Sequence, residues 1–384
     1  MYANWEGAEK SANQKVELLE KAIQRDPNFA LAYCALAKTQ TDLGHLESAK
    51  KAAEAALQLR PDLGEAHLEL ARYYFEAFDY DRAREELTIV RRKLPNNAEA
   101  LVIEAMISRH QNRWDAALAN LQKASELDPR NGEVVASLGE IYLEMRRYNE
   151  FEQLMTRAAA SGALEKPTSQ QYLAQMKLAQ GDPVAAQSLL DQVPMDYSPG
   201  VWIWNTRFKA ALYLRDYDAA NRVIAATPAK WADFAFDGPL GWAEGQVARA
   251  RGDEHKALTA FAAARTKVGD KPKDASYFAD VARLDAGLGR KEEAIREAQR
   301  AVDLQPIAKD SLNGPALAAN LALVYAWTGE HDRALEQLEK VATLPGVWHD
   351  AVTYGDLLLN PCWDDLRGDK RFDKIVAAAK AASR

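Results

Sequence analysis

The stretch DLGEAHLELARYYFEAFDYDRAREELTIVRRKLP, Asp62 to Pro95, contains two helical patterns separated by a short turn. In each half, apolar and small residues recur every three or four positions, which places them on one face of a helix. They are Leu70, Ala71 and Tyr74 in the first half and Ala83, Leu87 and Val90 in the second. The stretch therefore predicts two amphipathic helices joined at Phe78, Asp79 and Tyr80.

The proline that ends this stretch belongs to a series with a constant interval of 34 residues. The series consists of Pro27, Pro61, Pro95 and Pro129, and Pro272 and Pro306 repeat the interval further on. Proline cannot continue a helix, and it pushes the residue before it out of the helical region. A fixed period in this range marks a repeat architecture in which each helical pair is one unit.

Units in the same register can be followed along most of the chain. They begin near Asn28, Asp62, Asn96, Arg130, Pro167, Val201, Gly238, Ala275 and Pro315, and the residues before Pro27 supply a further second helix. Small residues at fixed positions let the two helix backbones of a unit approach closely, and a larger side chain there would cost about 1–3 kcal/mol. They are Ala37, Ala71, Gly139 and Ala322 in first helices and Ala49, Ala83, Ala117, Ala220, Ala257, Ala294 and Ala334 in second helices.

This pattern resembles the tetratricopeptide repeat, whose units carry a bulky residue, Leu-Gly, Tyr, Ala, an aromatic residue or Leu, Ala and a final Pro. The unit that begins near Arg130 carries Leu138, Gly139, Tyr142 and Phe151 in that order. The resemblance covers nearly the whole chain. It implies an all-α fold, an α-solenoid coiled as a right-handed superhelix, with about nine to ten helix-turn-helix units and a C-terminal capping helix.

The regularity of the register divides the chain into four segments. Residues 1–160 are predicted as an N-terminal array of a half repeat and four units, 161–240 as an irregular middle, 241–345 as a C-terminal array and 346–384 as a cap. The middle contains an aromatic-rich stretch, Trp231 to Pro239, that is longer than a normal turn. We interpret this stretch as a packed insert over apolar surface. The alternative is a kink that divides the array into two stacks and shapes a binding pocket.

The C-terminal stretch NPCWDDLRGDKRFDKIV, Asn360 to Val376, departs from the repeat. A stack of helix pairs leaves its last apolar face uncovered, so its terminal unit needs a cap. The stretch and the preceding DLLLN predict a short helix, a proline break and a final amphipathic helix. Its apolar side would consist of Leu357, Leu358, Trp363, Leu366, Phe372, Ile375 and Val376. The aspartates do not alternate as in a calcium loop, so we favour a cap over a site.

The same ending also resembles a narrower group. YGDLLLNPCWDDLRGDKRFDKIV (354–376), GLGRKEEAIREAQRAVDLQP (287–306) and LALVYAWTGEHDRALEQL (321–338) are similar to tetratricopeptide regions of bacterial signalling proteins. In those proteins the repeats follow a winged-helix DNA-binding domain or a serine/threonine kinase domain, and neither kind of motif occurs here. What the resemblance implies is a repeat region that receives a partner or a signal.

Signatures of catalysis are absent from the sequence. It contains no H-E-x-x-H zinc helix, no C-x-x-C pair, no phosphate loop and no G-x-S-x-G elbow. We therefore predict no catalytic residue, no cofactor and no metal site, and a protein that is not an enzyme. An enzyme would require an unrecognised site around Trp231 to Trp242.

Composition argues against nucleic acid and membrane as direct partners. The 384 residues carry a formal net charge of −7 without a basic stretch, and 48% of them are hydrophobic. No apolar run reaches the length of a membrane span, and the N-terminal sequence lacks the pattern of a signal peptide. We expect a soluble, cytoplasmic protein. The alternative location is extracytoplasmic, if the chain is a fragment of a membrane-anchored signalling protein.

The resemblance also implies where a partner would bind, because in this family the first helix of each pair lines the concave surface. The positions that do not pack within a unit carry arginine, aromatic and amide side chains, which suit a peptide. The residues predicted to line this groove are Arg72, Phe75, Arg109, Tyr172, Gln175, Trp202, Asn205, Lys209, Tyr213, Trp242, Gln246 and Arg249.

Two functions follow from these observations. The first is a non-enzymatic scaffold that binds a peptide or helical segment of another protein in its groove. The second is a sensory or regulatory module of a bacterial signalling protein, which binds a partner or a small ligand. The sequence distinguishes neither the partner nor the oligomeric state.

Overall fold

The structure is a computed structural model that describes residues 5–197, 202–231, 236, 238–269, 272–346 and 352–383. Within these residues every regular element is a helix, as the repeat pattern predicts. None of the helices there is both long enough and apolar enough to cross a lipid bilayer.

The helices form pairs that follow one another along the chain. A single helix, α1 (Trp5–Arg25), precedes the pairs. The first helices of the pairs are α2 (Ala30–Asp42), α4 (Gly64–Glu76), α6 (Ala98–His110), α8 (Gly132–Glu144), α10 (Lys166–Ala179), α12 (Trp202–Tyr213), α14 (Leu240–Ala250), α16 (Ala275–Gly287) and α18 (Gly314–Trp327). The second helices are α3 (Leu46–Leu59), α5 (Tyr80–Lys93), α7 (Trp114–Leu127), α9 (Tyr148–Ser161), α11 (Pro183–Leu190), α13 (Tyr217–Ala226), α15 (Glu254–Val268), α17 (Lys291–Leu304) and α19 (His331–Val341).

Shorter elements complete the C-terminal part. They are α20 (Tyr354–Leu359), α21 (Lys370–Ala381) and two 3₁₀ helices, η1 (Ala229–Trp231) and η2 (Pro361–Leu366). Each first helix begins within two residues of a predicted unit start, which confirms the register. The predicted start at Val201 lies outside the described residues, and so does most of the stretch 232–237 of the aromatic-rich insert.

The described residues divide into two compact units. The first comprises the residues up to Arg109 together with Arg113–Leu138, and the second comprises His110–Asn112 and the residues from Gly139 onward. We call them unit 1 and unit 2. The four-segment subdivision predicted from the sequence remains a prediction.

Small residues lie where the repeat pattern requires close helix contacts. The seven second-helix alanines from Ala49 to Ala334 are all buried, as are Ala37, Ala71 and Ala322. A Cβ on Gly139 of α8 would lie 2.8 Å from Cε of Met155 on α9. The two backbones approach too closely there for a side chain, as the sequence predicts.

The turn between the two helices of each pair contains one residue with a positive φ angle. In the described residues these are Gly44, Phe78, Asn112, Arg146, Gly181, Arg215, Gly252, Gly289 and Gly329. The left-handed conformation ends the first helix and reverses the chain. It favours glycine because in any other residue Cβ clashes with the backbone. In several helix pairs an aspartate follows this residue and accepts a hydrogen bond from a backbone amide at the start of the second helix. Asp216, for example, accepts one from the amide of Ala219 at 2.9 Å.

Unit 1 and unit 2 each have their own apolar core. In unit 1 the core between α4, α5 and α6 contains Leu87, Val90 and Ile107, all fully buried. In unit 2 the largest core joins α14–α19 with the C-terminal helices and contains Phe261 and Phe372. The last helix, α21, packs against α19 and covers the end of the repeats, which confirms the predicted cap. Leu358, predicted on the apolar side of the cap, is instead 37% exposed.

Candidate partner-binding surface

All twelve predicted groove residues lie on first helices. Unit 1 holds Arg72 and Phe75 on α4 and Arg109 on α6, whereas unit 2 holds Tyr172 and Gln175 on α10, Trp202, Asn205, Lys209 and Tyr213 on α12, and Trp242, Gln246 and Arg249 on α14. The helical assignment of these positions follows from the register. Their surroundings differ between the two units.

In unit 2 the first helices are covered by a part of the chain from far downstream. Residues 352–366, which we call the C-terminal segment, contain α20 and η2. α20 contacts α10, and η2 contacts both α14 and α18. The segment buries Leu357, Cys362, Trp363 and Leu366. Burial of each of these large side chains contributes about 1.5–3 kcal/mol, so the segment is held firmly.

A carboxylate fixes the segment to α12. Tyr213 donates its hydroxyl hydrogen to Oδ1 of Asp356 at 3.0 Å. The same carboxylate accepts hydrogen bonds from Nε1 of Trp363 at 2.8 Å and from Nδ2 of Asn360 at 2.8 Å. Asp356 thereby joins the predicted groove residue Tyr213 to two residues of its own segment, and its charge is stabilised by three donors.

The backbone of the segment lies directly on the end of α10. A Cβ placed on Gly355 would lie 1.8 Å from the carbonyl oxygen of Leu178. A Cβ on Gly181, in the turn after α10, would lie 3.1 Å from the ring of Tyr354. Two glycines therefore permit a contact that any side chain at position 355 would prevent.

Two ion pairs continue the contact at the outer edge. Nη1 and Nη2 of Arg215 donate to the two oxygens of Asp364 at 2.7 and 2.8 Å, and Nη2 of Arg249 donates to Asp365 at 2.8 Å. Burial opposes the ionisation of Asp364, but the hydrogen bonds from Arg215 and Arg367 outweigh it and lower its pKa. These pairs are about 40% exposed, so solvent weakens them.

A cluster of aromatic rings lies beneath η2. The ring of Trp242 lies 5.7 Å from that of Phe261 and 5.3 Å from that of Trp327, measured between centroids. The guanidinium of Arg249 lies 4.4 Å above Trp327. Nε1 of Trp327 donates to the carbonyl oxygen of Cys362 at 3.0 Å. The cluster therefore binds both the backbone and the apolar side chains of the segment.

This arrangement differs from the expected open groove. Gln175, Asn205, Tyr213 and Trp242 are each 6% exposed or less. At Tyr213 and Trp242 the reason is the return of the C-terminal segment, while Nε2 of Gln175 donates to the hydroxyl of Thr206 on α12 at 3.1 Å. Arg109 in unit 1 is also buried, at 6%. The sequence predicted these five residues as surface contacts, and their burial corrects that prediction. Their role in binding a partner remains a prediction.

The other predicted residues keep part of their surface. Tyr172, Trp202, Lys209 and Gln246 are half-buried, and Arg249 is exposed beside its ion pair. Sequence reasoning missed the residues that hold the segment, namely Arg146, Arg215 and Asp356. A usable signal existed, because Asp356, Asp364 and Asp365 lie among apolar residues near the end of the chain, where they need cationic or donor groups.

Arg146 holds the start of the segment. Its guanidinium donates to the carbonyl oxygens of Ala342, Leu344 and Val352 at 2.7, 3.2 and 3.0 Å. The side chain is 4% exposed, and burial lowers its pKa. The three carbonyl acceptors compensate for the burial of the Arg146 charge. They lie outside the helices, so no helical N–H group pairs with them.

In unit 1 the first helices carry a network of charges instead of a bound segment. Nζ of Lys38 on α2 lies 2.5 Å from Oε1 of Glu99 on α6, and the same carboxylate pairs with Arg72 on α4. Nε of Arg72 also lies 3.3 Å from Oε2 of Glu69. Burial raises the pKa of Glu69 to about 7, despite the attraction of Arg72.

Side chains that could bind a metal ion do not cluster in the described residues. No group of three or more His, Cys, Asp or Glu side chains there could hold a metal ion. Both cysteines are buried and reduced, and burial raises the pKa of Cys34 to about 12. The hypothetical enzyme site around Trp231 to Trp242 lies partly outside the described residues.

Comparison with known families identifies the repeats. Family models of the tetratricopeptide repeat match residues 18–51, 68–119 and 109–174. The helix pairs from α2 to α19 continue the same pattern beyond these segments, and the fold is of the α-solenoid class. None of the matches supports the narrower resemblance to signalling proteins with kinase or winged-helix domains.

Solved structures that match part of the chain share little of its sequence. A Pseudomonas aeruginosa structure from a functional characterisation of pilF shares 21% identity at a TM-score of 0.43, over 53% of this chain and 91% of that chain. A tetratricopeptide repeat protein from Parabacteroides merdae shares 16% identity at a TM-score of 0.43, over 55% and 83%. A thermophilic tetratricopeptide repeat protein from Thermus thermophilus shares 19% at a TM-score of 0.38, over 51% and 98%. No curated protein sequence matches the chain significantly.

Proposed function

We propose that this protein is a non-enzymatic scaffold whose first helices hold a segment of a partner protein. One observation carries the proposal: in unit 2 the first helices and the turn after α12 already hold a segment from outside the repeats, residues 352–366, through side-chain contacts. They do so with a tyrosine, two arginines and a tryptophan cluster, which are the residue types that dominate peptide recognition. We assign to a segment from another chain those of the predicted first-helix positions that keep part of their surface.

In each unit taken by itself, we assign to a partner the predicted residues that keep part of their surface. In unit 1 these are Arg72 and Phe75, and in unit 2 they are Tyr172, Trp202, Lys209 and Gln246. Gln175, Asn205, Tyr213 and Trp242 support this surface from below, because they are buried against neighbouring helices or the C-terminal segment. A partner that offers a carboxylate and an apolar side chain would match the arginine, lysine and aromatic groups.

Site-specific photocrosslinking tests this function. A photoreactive phenylalanine analogue replaces Phe75 in one variant and Trp202 in another, and the matched control carries it at Lys123, which is exposed on the second helix α7. We expect the same partner from both first-helix positions and none from position 123. Lys209→Glu should reduce the recovery from position 202 at least tenfold, whereas Lys256→Glu on the exposed surface of α15 should not. Equal recovery from all three positions would contradict the proposal.

A further inference from the structure

Two carboxylates in unit 1 share the guanidinium of Arg72 on α4. Nη2 of Arg72 pairs with Oε1 of Glu99 on α6, and Nε lies 3.3 Å from Oε2 of Glu69, one helical turn earlier on α4. Two carboxylates that share one cation repel each other, and one of the pair then binds a proton more readily than an isolated carboxyl group does. The contacts of Glu69 and Glu99 indicate which of the two does so.

Glu99 is the better compensated of the two carboxylates. Its Oε1 also lies 2.5 Å from Nζ of Lys38 on α2, and its side chain is 30% exposed. Burial opposes its ionisation, but Arg72 and Lys38 outweigh this effect and lower the pKa of Glu99. Glu99 therefore stays charged at neutral pH.

Glu69 is the carboxyl group that binds the proton. Its side chain is 7% exposed, and its 3.3 Å contact with Arg72 is longer than the distance of about 2.7–2.9 Å in a charge-assisted hydrogen bond. The groups that face it are Arg72 on its own helix, Lys38 and the Cys34 thiol on α2, and Glu99 on α6. Burial and the repulsion from Glu99 raise the pKa of Glu69 to about 7, despite the attraction of Arg72 and Lys38.

The charge on Glu69 determines which carboxylate Arg72 prefers. Asp42 on α2 and Glu76 on α4 also attract Arg72. When Glu69 is protonated, Glu99 is the stronger acceptor, and Arg72 joins α4 to α6. When Glu69 is ionised, it attracts Arg72 toward its own helix and repels Glu99, and both effects weaken the link to α6.

We propose that Glu69 is a proton-operated switch in unit 1 that sets how firmly Arg72 joins α4 to α6. Release of the proton loosens the start of α6, because Glu99 lies in the first turn of that helix, and uptake of the proton tightens it. The switch acts inside unit 1 and needs no partner. It therefore goes beyond the proposed scaffold function and does not rest on it.

Double-mutant cycles in the full chain test the proposal. Arg72→Ala and Glu99→Gln are made singly and together, and urea unfolding at pH 5.5 and pH 8.5 gives their coupling as a factor in the unfolding equilibrium constant. We expect this factor to be at least threefold larger at pH 5.5 than at pH 8.5 in the wild-type background. In a Glu69→Gln background, which leaves the other carboxylates in place, the factor should be the same at both pH values. A Glu65→Gln background is the matched control and should follow wild type.

Hydrogen exchange provides a second measurement that needs no change at Arg72 or Glu99. The amides of residues 102–105 donate to the carbonyl groups of the first turn of α6, so their protection from exchange reports how firmly that turn is held. After correction for the intrinsic exchange rates, their protection relative to the amides of α3 should fall at least threefold from pH 5.5 to pH 8.5 in wild type. It should stay constant in Glu69→Gln.

The two measurements also define what would overturn the proposal. A coupling factor and a relative protection that are equal at both pH values in wild type would do so, and so would a change that persists in Glu69→Gln. Loss of overall stability with rising pH, without a change in either quantity, would overturn it too, because Glu69 would then titrate without acting through Arg72. Crosslinking from position 202 in unit 2 is unaffected by these outcomes, so the proposed scaffold function stands or fails separately.

Discussion

Equivalent first-helix positions have different surroundings in the two units. In unit 1, Lys38, Arg72 and Glu99 join α2, α4 and α6 through a charge network. In unit 2, the equivalent faces of α10, α12 and α14 carry the C-terminal segment, which buries Trp242 to 2% exposure. The repeat thus places a side chain at the same position of each first helix. Whether that side chain meets water, an opposite charge or another part of the chain depends on contacts beyond the repeat.

The largest effect that we expect comes from removing an apolar anchor of the segment. Leu357 is fully buried, so Leu357→Ala should destabilise the protein by about 2–5 kcal/mol. Its neighbour Leu358 is 37% exposed, and Leu358→Ala should cost less than about 0.5 kcal/mol. Denaturant unfolding of the two variants measures the difference. Equal shifts in the midpoint would mean that the segment does not pack on unit 2 as described.

The second effect concerns Arg146, which holds the start of the segment. Arg146→Ala should cost about 3 kcal/mol, because it leaves three carbonyl oxygens without their charged donor. Arg146→Gly should cost about 1 kcal/mol less, since glycine relieves the left-handed strain at φ 58°. Arg147→Ala, at the half-buried neighbour, serves as the control. If Arg146→Ala and Arg146→Gly unfold at the same denaturant concentration, the turn is not strained.

The contribution of the unit 1 charge network to the free energy of unfolding should depend on pH. The pKa of Glu69 is about 7 in the folded protein and about 4.5 in the unfolded chain. A raised pKa means that the folded state binds the proton more tightly, so the stabilisation is complete below pH 4.5 and disappears as the pH rises to about 7. It amounts to roughly 3 kcal/mol at most.

Unfolding curves between pH 4 and 8 measure this contribution. Wild type should lose stability across that range relative to Glu69→Gln, which cannot titrate. Glu65→Gln on the same helix provides the matched control and should follow wild type. Parallel pH profiles for wild type and Glu69→Gln would show that Glu69 is ionised throughout, with Arg72 outweighing its burial.

The smallest expected effect is that of the outer ion pair. Arg215 and Asp364 are 39% and 42% exposed, so a double-mutant cycle with Arg215→Ala and Asp364→Ala should give a coupling of about 0.2–1 kcal/mol. The coupling should fall as salt is added. A coupling well above this range, or one insensitive to salt, would mean that the pair is shielded from solvent and contributes as much as the apolar anchors.

Local pattern was enough to predict the helices and their register. The repeat register, read from the proline interval and from the spacing of residues such as Ala83, Leu87 and Val90, placed the start of each first helix within two residues. It was also enough for the cap, because α21 packs on α19 through residues of its own apolar face. The same pattern predicted twelve groove residues on the correct helices, but five of them are buried. Position within a repeat defines the direction of a side chain and carries no information about what lies opposite.

The sequence by itself determined that this protein is an array of helix pairs, because each pair is formed by contacts between residues a few turns apart. Only the tertiary structure decided that the last part of the chain returns to unit 2. The contacts that hold it, such as Arg146 with Val352 and Tyr213 with Asp356, join residues 206 and 143 positions apart. No periodic signal links residues at such distances. They meet because buried carboxylates and carbonyl groups need donors, and the folded repeats supply them.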